Sequence, residues 1–174
     1  MQQHFLIALS ASVCLANVAL ADTTVPIHKV NTQGTTGSAG SVTISESPHG
    51  LVFHPKLQQL DAGIHGFHIH ENPSCDPADK DGKSVAAGAA GDHYDPEKTG
   101  RHGAPWGEGH LGDLPAVYVN SDGSATIPVL APRIKKLSDI SGRALMIHKG
   151  GDNYADEPKP LGGGGERVAC GVIP

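Results

Sequence analysis

Six histidines and one aspartate between residues 68 and 148 are of the types that bind metal ions. They are His68, His70, His93, His102, His110, Asp113 and His148. A structural zinc ion takes four protein ligands and a catalytic zinc ion usually takes three plus water. Seven candidates exceed the needs of one tetrahedral ion, so the sequence predicts two metal ions.

The first two histidines lie in the segment Gly66-Phe67-His68-Ile69-His70. Alternate residues of a β-strand share a face, so His68 and His70 point one way while Phe67 and Ile69 point the other. The apolar pair can enter a core and leave the imidazoles facing outward. A single strand histidine is usually an ordinary polar residue, but two on one face, followed by three more in an irregular stretch, favour metal ligation.

The seven residues divide into two donor sets of different character. One set offers three imidazoles and one carboxylate, which suits zinc: His93, His102, His110 and Asp113. The other offers imidazoles alone, which satisfy copper: His68, His70 and His148. If His93 served both ions through its two ring nitrogens, each ion would have four ligands. Such an imidazole must lose both ring protons, which two cations make possible.

Short apolar segments separated by turns predict an all-β domain. The chain has 23 glycines and 13 prolines, and we expect strands over residues 25–30, 41–46, 50–57, 63–70, 116–120, 125–130, 144–148 and 167–172. A hairpin turn is expected at 121–123, where Ser-Asp-Gly stands, and a helical turn or two over 134–140. Eight short antiparallel strands fit an eight-stranded Greek-key β-barrel or sandwich.

Two long connections interrupt this pattern, at residues 71–114 and 152–165. Both are rich in glycine and proline, so they can hold little regular structure. Connections of this length are usually functional or disordered. The ligand-type residues favour function, because metal bonds can hold a loop that has no core of its own.

The first 21 residues have the features of a cleaved signal peptide. Residues 5–20 are mostly apolar and uncharged, and Ala19-Leu20-Ala21 fits signal peptidase. The alternative, a permanent anchor, needs about 20 apolar residues, and this run is shorter and contains polar residues. We therefore expect one exported domain over 22–174.

Cysteine content and charge narrow the possibilities further. The expected mature domain keeps two cysteines, Cys75 and Cys170, and an even count in an oxidising compartment favours a disulfide. Two buried thiols are the alternative. The net charge is -5 and the 13 lysines and arginines are scattered. This distribution argues against a nucleic-acid partner or a stable association with anionic membranes.

Five segments together resemble the copper, zinc superoxide dismutases of the bacterial, exported type. They are His65-Gly66-Phe67-His68-Ile69-His70, residues 90–96 (AGDHYDP), residues 109–115 (GHLGDLP), Met146-Ile147-His148 and residues 169–172 (ACGV). Each is modest evidence alone, but their order and spacing together are specific. The resemblance covers nearly all of residues 22–174.

The resemblance implies one copper and one zinc ion per subunit, with assigned ligands. Copper would be held by His68, His70, His93 and His148, and zinc by His93, His102, His110 and Asp113. It also implies a Cys75–Cys170 disulfide, an Arg167 guanidinium that receives an anion beside copper, and an Asp152 carboxylate that links a copper ligand to a zinc ligand. A periplasmic location is expected. Exported members of the family include monomers and dimers, and we expect a homodimer because the Trp106 indole lies in the glycine-rich loop, where it can meet a partner surface.

The implied activity is the dismutation of superoxide to oxygen and hydrogen peroxide through a copper redox cycle. His93 would leave reduced copper, stay on zinc and carry a proton. Steering of the anion by positive charge, established for this family, would fall to Arg167 with some of Lys80, Lys83 and Lys149. Asp92, just before the bridge, departs from the expected pattern and adds negative charge. The alternatives are a metal-binding or copper-delivery protein and a zinc hydrolase.

Overall fold

Eleven β-strands and three short 3-10 helices make up the regular structure of residues 22–174, the part of the chain that this computed structural model describes. The proposed signal peptide at 1–21 lies outside the described residues. The strands are β1 (Thr23–Asn31), β2 (Gly34–Ser47), β3 (Gly50–Leu57), β4 (Gly63–His65), β5 (Phe67–His70), β6 (Ala78–Lys80), β7 (Lys83–Val85), β8 (Val117–Val119), β9 (Val129–Ala131), β10 (Arg143–His148) and β11 (Arg167–Ile173). The 3-10 helices span Gly88–Ala90, Leu137–Asp139 and Leu161–Gly163.

Seven of the strands form one antiparallel sheet that curls around the core. Its order is β5-β10-β11-β1-β2-β3-β9, and β4 pairs separately with β8. Strands β3 and β5 are five places apart in this order, yet the rings of Phe53 and Phe67 meet edge to face with centroids 5.7 Å apart. Such a contact requires the sheet to fold back on itself. The predicted all-β barrel is confirmed.

Alternation along the strands decides which residues enter the core. On β1, Val25 and Ile27 are buried while the residues beside them are exposed. On β5, Phe67 and Ile69 belong to the main hydrophobic cluster. Their strand neighbours His68 and His70 therefore project from the opposite face, outside the core.

The predicted strand at 63–70 is interrupted at Gly66. The Gly66 amide donates to the Gly150 carbonyl at 2.8 Å, so β4 pairs with β8 while β5 pairs with β10. If β4 and β5 are counted as one strand and the β6–β7 hairpin is set aside, eight strands form the barrel. The predicted strand at 125–130 is largely displaced, since β9 is shorter and begins at Val129.

Local turns account for the other differences from the sequence prediction. Strands β6 and β7 form a small hairpin inside the loop predicted to be irregular, joined by Asp81-Gly82 with positive φ at both residues, as such turns require. The predicted turn at 121–123 forms, with the Gly123 amide bonded to the Asn120 carbonyl at 2.9 Å. Its flanking strands, however, pair with β4 and β3.

A disulfide fastens the long loop to the barrel. Cys75 and Cys170 are bonded, with Cα atoms 5.7 Å apart, which confirms the predicted pairing. Cys170 is fully buried on β11, so the loop residues around Cys75 are fixed beside that strand. Within residues 22–174, no helix has the length and apolar character needed to cross a bilayer.

Candidate metal centre

The free edge of β5 positions the first part of the centre. The Ile69 amide donates to the Gly112 carbonyl at 2.9 Å, and the Ile69 carbonyl accepts from the Tyr94 amide at 2.8 Å. Two segments of the long loop thus lie along the strand. They place His93 opposite His70 and Asp113 opposite His68. Backbone bonding therefore fixes how the loop ligands approach the strand ligands.

Strand β10 and the second loop supply the remaining side chains. His148 ends β10, the sheet neighbour of β5. The loop at 152–165 carries Asp152 over the cluster. All seven predicted ligands are at most 8% exposed, although each carries polar nitrogen or oxygen: His68, His70, His93, His102, His110, Asp113 and His148. Burial of this many ionisable groups is costly unless each finds a partner.

Backbone carbonyls determine which nitrogens of His70 and His148 remain free. His70 Nδ1 donates to the Gly91 carbonyl at 2.9 Å, and His148 Nδ1 donates to the Gly165 carbonyl at 3.1 Å. A neutral imidazole has one donor and one acceptor nitrogen. The two Nε2 atoms are then the lone-pair donors, and they lie 3.4 Å from each other.

Two further nitrogens near this point have no hydrogen-bond partner although they are buried: His68 Nδ1 and His93 Nε2. Unsatisfied buried polar atoms are rare because each loses its interaction with water. The ligand atoms of His68, His70, His93 and His148 all lie within 4.8 Å of one another. These two unpartnered nitrogens, together with the free lone pairs on Nε2 of His70 and His148, fit a metal ion, and an all-imidazole set fits copper.

The second cluster is centred on one oxygen of Asp113. Its Oδ1 atom lies 2.9 Å from His93 Nδ1, 3.0 Å from His102 Nδ1 and 3.3 Å from His110 Nδ1. Its Oδ2 atom accepts from the Gly103 amide at 2.9 Å. Three nitrogens and one oxygen at one point form a donor set that suits zinc.

His68 is also close enough to this second cluster to be grouped with His93, His102 and Asp113. Its Nε2 atom, however, donates to Asp152 Oδ2 at 2.7 Å. The nitrogen that remains free is Nδ1, which we assign to the all-imidazole cluster. His110 is not part of that group, but its Nδ1 lies 3.3 Å from Asp113 Oδ1.

Asp152 connects the two clusters. Its Oδ2 accepts from His68 Nε2 and its Oδ1 accepts from His102 Nε2, both at 2.7 Å. Oδ1 also accepts from the Tyr154 amide at 2.7 Å. Both imidazoles are therefore oriented by one carboxylate, which leaves Nδ1 of each as the potential ligand.

Close packing of the second loop brings Asp152 to this position. The Asn153 amide donates to the Gly162 carbonyl at 3.1 Å, and the Gly162 amide donates to the Ala155 carbonyl at 3.0 Å. Gly162 has φ +68°, and a Cβ built on it would overlap the Asp152 carboxylate. Glycine is therefore required here for both conformation and space.

Burial lowers the pKa of four histidines in the metal-free chain. Desolvation is the main cause at His68, His70, His93 and His148. The pKa of His93 falls to about 4, since the nearby His68 adds repulsion. Neutral imidazoles are the form that binds metal, so these four are held ready for ligation at neutral pH.

The carboxylates act in the opposite direction at His102. Burial alone would lower its pKa, but the adjacent carboxylates of Asp113 and Asp152 raise it to about 9. Burial would raise the pKa of both carboxyl groups, yet hydrogen bonds from the surrounding histidines hold each well below its usual value. The two carboxylates thus favour the protonated form of His102 in the metal-free chain.

Arg167 lies beside the all-imidazole cluster and is held by backbone. Its Nη1 donates to the Ala87 carbonyl and its Nη2 to the Gly91 carbonyl, both at 2.6 Å. The Gly91 carbonyl is the one that also accepts from His70. Burial lowers the pKa of Arg167, while the charge of Asp92 opposes that shift.

The three lysines suggested for steering differ in their surroundings. Lys80 lines a cavity of about 180 Å³ with Arg167 and forms an exposed ion pair with Asp92 at 3.6 Å. Lys149 is paired with Glu166 at 2.9 Å. Lys83 is exposed on β7. Lys80 is thus the lysine that the structure places next to Arg167.

Two structural contributors were not identified from the sequence. His65 is buried, with Nδ1 2.7 Å from the His148 carbonyl and Nε2 2.8 Å from the Asp61 carbonyl. Arg143 stacks on the ring of Tyr94, with Cζ 3.6 Å from the ring centroid. His65 belongs to the first resembling segment, so its position was visible but its partners were not. No sequence signal pointed to Arg143.

Comparison with known proteins gives a consistent result. The family model described as copper/zinc superoxide dismutase (SODC) matches residues 38–173. A superoxide dismutase [Cu-Zn] of Escherichia coli (strain K12) is 55% identical over 171 residues, covering 98% of this chain and 99% of the relative. One from Haemophilus ducreyi is 59% identical over 150 residues, covering 86% and 75% respectively.

Solved structures agree. The Cu/Zn superoxide dismutase from Brucella abortus has 53% sequence identity and a TM-score of 0.87, with 88% of this chain and all of the other covered (100%). The monomeric copper, zinc superoxide dismutase from Salmonella enterica has 58% identity and a TM-score of 0.80, with 88% and 100% covered.

The pKa shifts predict a stability maximum near pH 6.5 for the metal-free protein. Four histidines have a folded pKa below the ordinary value of 6.5, so their effect destabilises the fold as pH falls below it. The stabilisation from His102, whose folded pKa is about 9, is complete below pH 6.5 and is lost as pH rises through 9. Chelator-treated protein can be unfolded with urea between pH 4 and 9.

A His102→Gln variant serves as the control. It should flatten the alkaline side of the stability profile and leave the acid side in place. A wild-type stability that rises steadily from pH 6.5 to 9 would contradict the prediction.

Proposed function

Because the chain belongs to the copper/zinc superoxide dismutase family, we propose that its two clusters bind copper and zinc and catalyse the dismutation of superoxide. Two superoxide ions and two protons give one oxygen molecule and one hydrogen peroxide. The observation that carries this proposal is that four imidazole nitrogens converge beside the Asp113 cluster, and that two of them, His68 Nδ1 and His93 Nε2, are buried without a hydrogen-bond partner. His93 belongs to both clusters, through Nε2 and Nδ1 respectively.

The ligands follow from the hydrogen bonds already made. Copper would be held by His68 Nδ1 and by Nε2 of His70, His93 and His148. Zinc would be held by Nδ1 of His93, His102 and His110 and by Asp113 Oδ1. Copper held there would supply one-electron redox chemistry toward superoxide, and zinc, which has a single oxidation state, would orient His93.

His93 is the residue that can hold a proton at the reaction site. Asp113 keeps its Nδ1 in the zinc cluster, at 2.9 Å, so Nε2 is the atom that can gain or lose a proton. Burial disfavours the protonated form and lowers its pKa to about 4 in the metal-free chain. In the loaded protein, His93 Nε2 would be the nitrogen that carries a proton to a peroxide product whenever it is not engaged as a ligand.

Arg167 is the residue that would receive the anion. Two of its five N–H groups are bonded to backbone carbonyls, which fixes the plane of the guanidinium. The remaining donors are available to a small anion. The carbonyl of Gly91 holds both Arg167 and His70, so the anion site and a copper ligand share one support.

We further propose that residues 1–21 are removed on export and that residues 22–174 work in the periplasm, where they protect the cell envelope from superoxide. The Cys75–Cys170 disulfide supports an oxidising compartment. The relatives described above come from bacteria.

A homodimer is proposed through an exposed apolar face beside β8. Ile64 and Tyr118 lie opposite each other on β4 and β8 and are 61% and 50% exposed. Trp106 is 71% exposed and lies 6.2 Å from the ring of Tyr154. The Tyr154 hydroxyl accepts from the Ala116 amide at 3.0 Å, next to β8. Exposed apolar residues gathered on one side of a domain can mark an interaction surface.

Metal analysis combined with superoxide decay tests the function. Protein isolated from the periplasm should have the intact mass of residues 22–174 with one disulfide, and should be active with copper and zinc but inactive with zinc alone.

His148→Gln should bind zinc and lose copper, whereas His110→Gln should lose zinc. The exposed His28 provides the control, His28→Gln, which should match wild type. Full activity with zinc alone would refute the proposal.

Replacing Asp152 tests its role as the link. In Asp152→Asn, one carboxylate oxygen becomes an NH2 group that faces the N–H of a histidine, so one imidazole loses its orientation. Zinc affinity should fall roughly 10-fold to 100-fold, the usual effect of losing such a partner, as measured by competition with a chelator. Asp122→Asn, in the β8–β9 turn, is the matched control. Affinities within twofold of wild type would contradict the role.

The proposed dimer is tested by sedimentation equilibrium at micromolar concentrations. Trp106→Glu should convert a dimeric wild-type protein to a monomer, because it places a charge in the apolar face. Val172→Glu, at an exposed position on β11, should leave the dimer intact. A wild-type protein that sediments as a monomer would exclude this proposal, and would make the chain similar in this respect to the monomeric Salmonella enterica protein.

A further inference from the structure

Asp92 occupies the boundary between two openings above the histidine cluster. One is a cavity of about 180 Å³ whose charged lining residues are Asp79, Lys80, Asp92 and Arg167. The other is a groove of about 520 Å³ that reaches His93 and His110, with Glu71, Asp95 and Lys98 among its lining residues. Asp92 lines both, and no other residue of the described chain does.

The charges around the two openings differ. In the Arg167 cavity, Lys80 and Arg167 are balanced by Asp79 and Asp92, so the lining has no net charge. In the groove, three carboxylates face Lys98 as the one lysine, which leaves the lining negative. Without Asp92 the cavity would be positive, and an anion would be drawn towards Arg167.

The contact between Lys80 and Asp92 is loose. Their charged atoms are 3.6 Å apart and their side chains are 70% and 75% exposed. Exposed pairs of this kind contribute little to stability, so either charge can be removed at little cost to the fold. Asp92 also contacts the fold through its backbone, since its carbonyl accepts from the Glu71 amide at 3.1 Å. Its side-chain charge can be removed without breaking that bond.

We propose that Asp92 limits the rate at which anions reach the copper site, by cancelling positive charge at the mouth of the Arg167 cavity, and that Lys80 reduces this effect. The proposal rests on the copper site and anion site assigned above. Asp92 therefore determines how strongly this enzyme attracts a small anion compared with a cation.

Asp92→Asn should raise kcat/KM for superoxide about twofold to threefold at low ionic strength, the size expected for one exposed charge acting over several ångströms in water. The gain should vanish above roughly 0.5 M salt, where screening is nearly complete. Pulse radiolysis of fully loaded protein measures both. Asp122→Asn, which removes the same charge from a turn that lines neither opening, should change nothing.

Two binding measurements separate a charge effect from a structural one. Azide affinity for the copper form, followed by absorbance, should rise about twofold to threefold in Asp92→Asn. The rate of Cu²⁺ uptake by zinc-loaded, copper-free protein should fall, because the same carboxylate attracts cations. Opposite changes for anion and cation support the proposal, and changes in the same direction for both would overturn it.

Lys80→Gln should slow superoxide capture, and the double variant with Asp92→Asn should return close to wild type. If Asp92→Asn is indistinguishable from Asp122→Asn at low ionic strength, the proposal is wrong. That result differs from a failure of the proposed function, in which wild-type protein would bind no copper at the four histidines or show no azide binding.

Discussion

The backbone hydrogen bonds on both sides of Ile69 are the contacts on which the rest of the structure depends. They attach two segments of a loop that has no core of its own to the edge of a rigid strand, and they bring His93 beside His70 and Asp113 beside His68. Strand β5 holds His68 and His70 in fixed positions because its other two side chains, Phe67 and Ile69, are packed in the core. The loop supplies His93, His102, His110 and Asp113, which all lie outside the strands of the barrel. The Cys75–Cys170 disulfide supports the same loop from β11.

Two buried carboxylates then determine the electrostatics of the centre. Asp113 gathers three imidazoles around one oxygen, and Asp152 joins His68 to His102. Backbone carbonyls select the free nitrogen on His70 and His148 in the same manner. Each ring is therefore assigned a ligand atom before any metal binds, and burial keeps four of the rings neutral. The centre is preorganised by hydrogen bonds that are distinct from the metal bonds it would form.

Much of this arrangement could be predicted from the sequence, for reasons that differ between residues. Alternation around Phe67 and Ile69 was enough to place His68 and His70 on the outer face, and turn residues between short apolar segments were enough to predict an all-β barrel. The β6–β7 hairpin was missed although Asp81-Gly82 signals a tight turn, because the flanking strands are only three residues each. His65 contacts the carbonyl of His148, 83 residues away, and Arg143 stacks on the ring of Tyr94; both contacts exist only once the chain is folded. Such contacts have no periodicity that a sequence could display.

The run of glycines at 162–165 has a consequence beyond backbone conformation. At Gly162 there is no room for a methyl group next to the Asp152 carboxylate, and at Gly164 a methyl group would press on the Cβ atom of His148, at 3.2 Å. Volume thus constrains Gly162 and Gly164, whereas a Cβ at Gly163 or Gly165 would meet only ordinary van der Waals contacts. Even alanine at position 162 would displace the Asp152 carboxylate that joins His68 to His102, so the low complexity of this segment reflects its close contact with the histidine clusters.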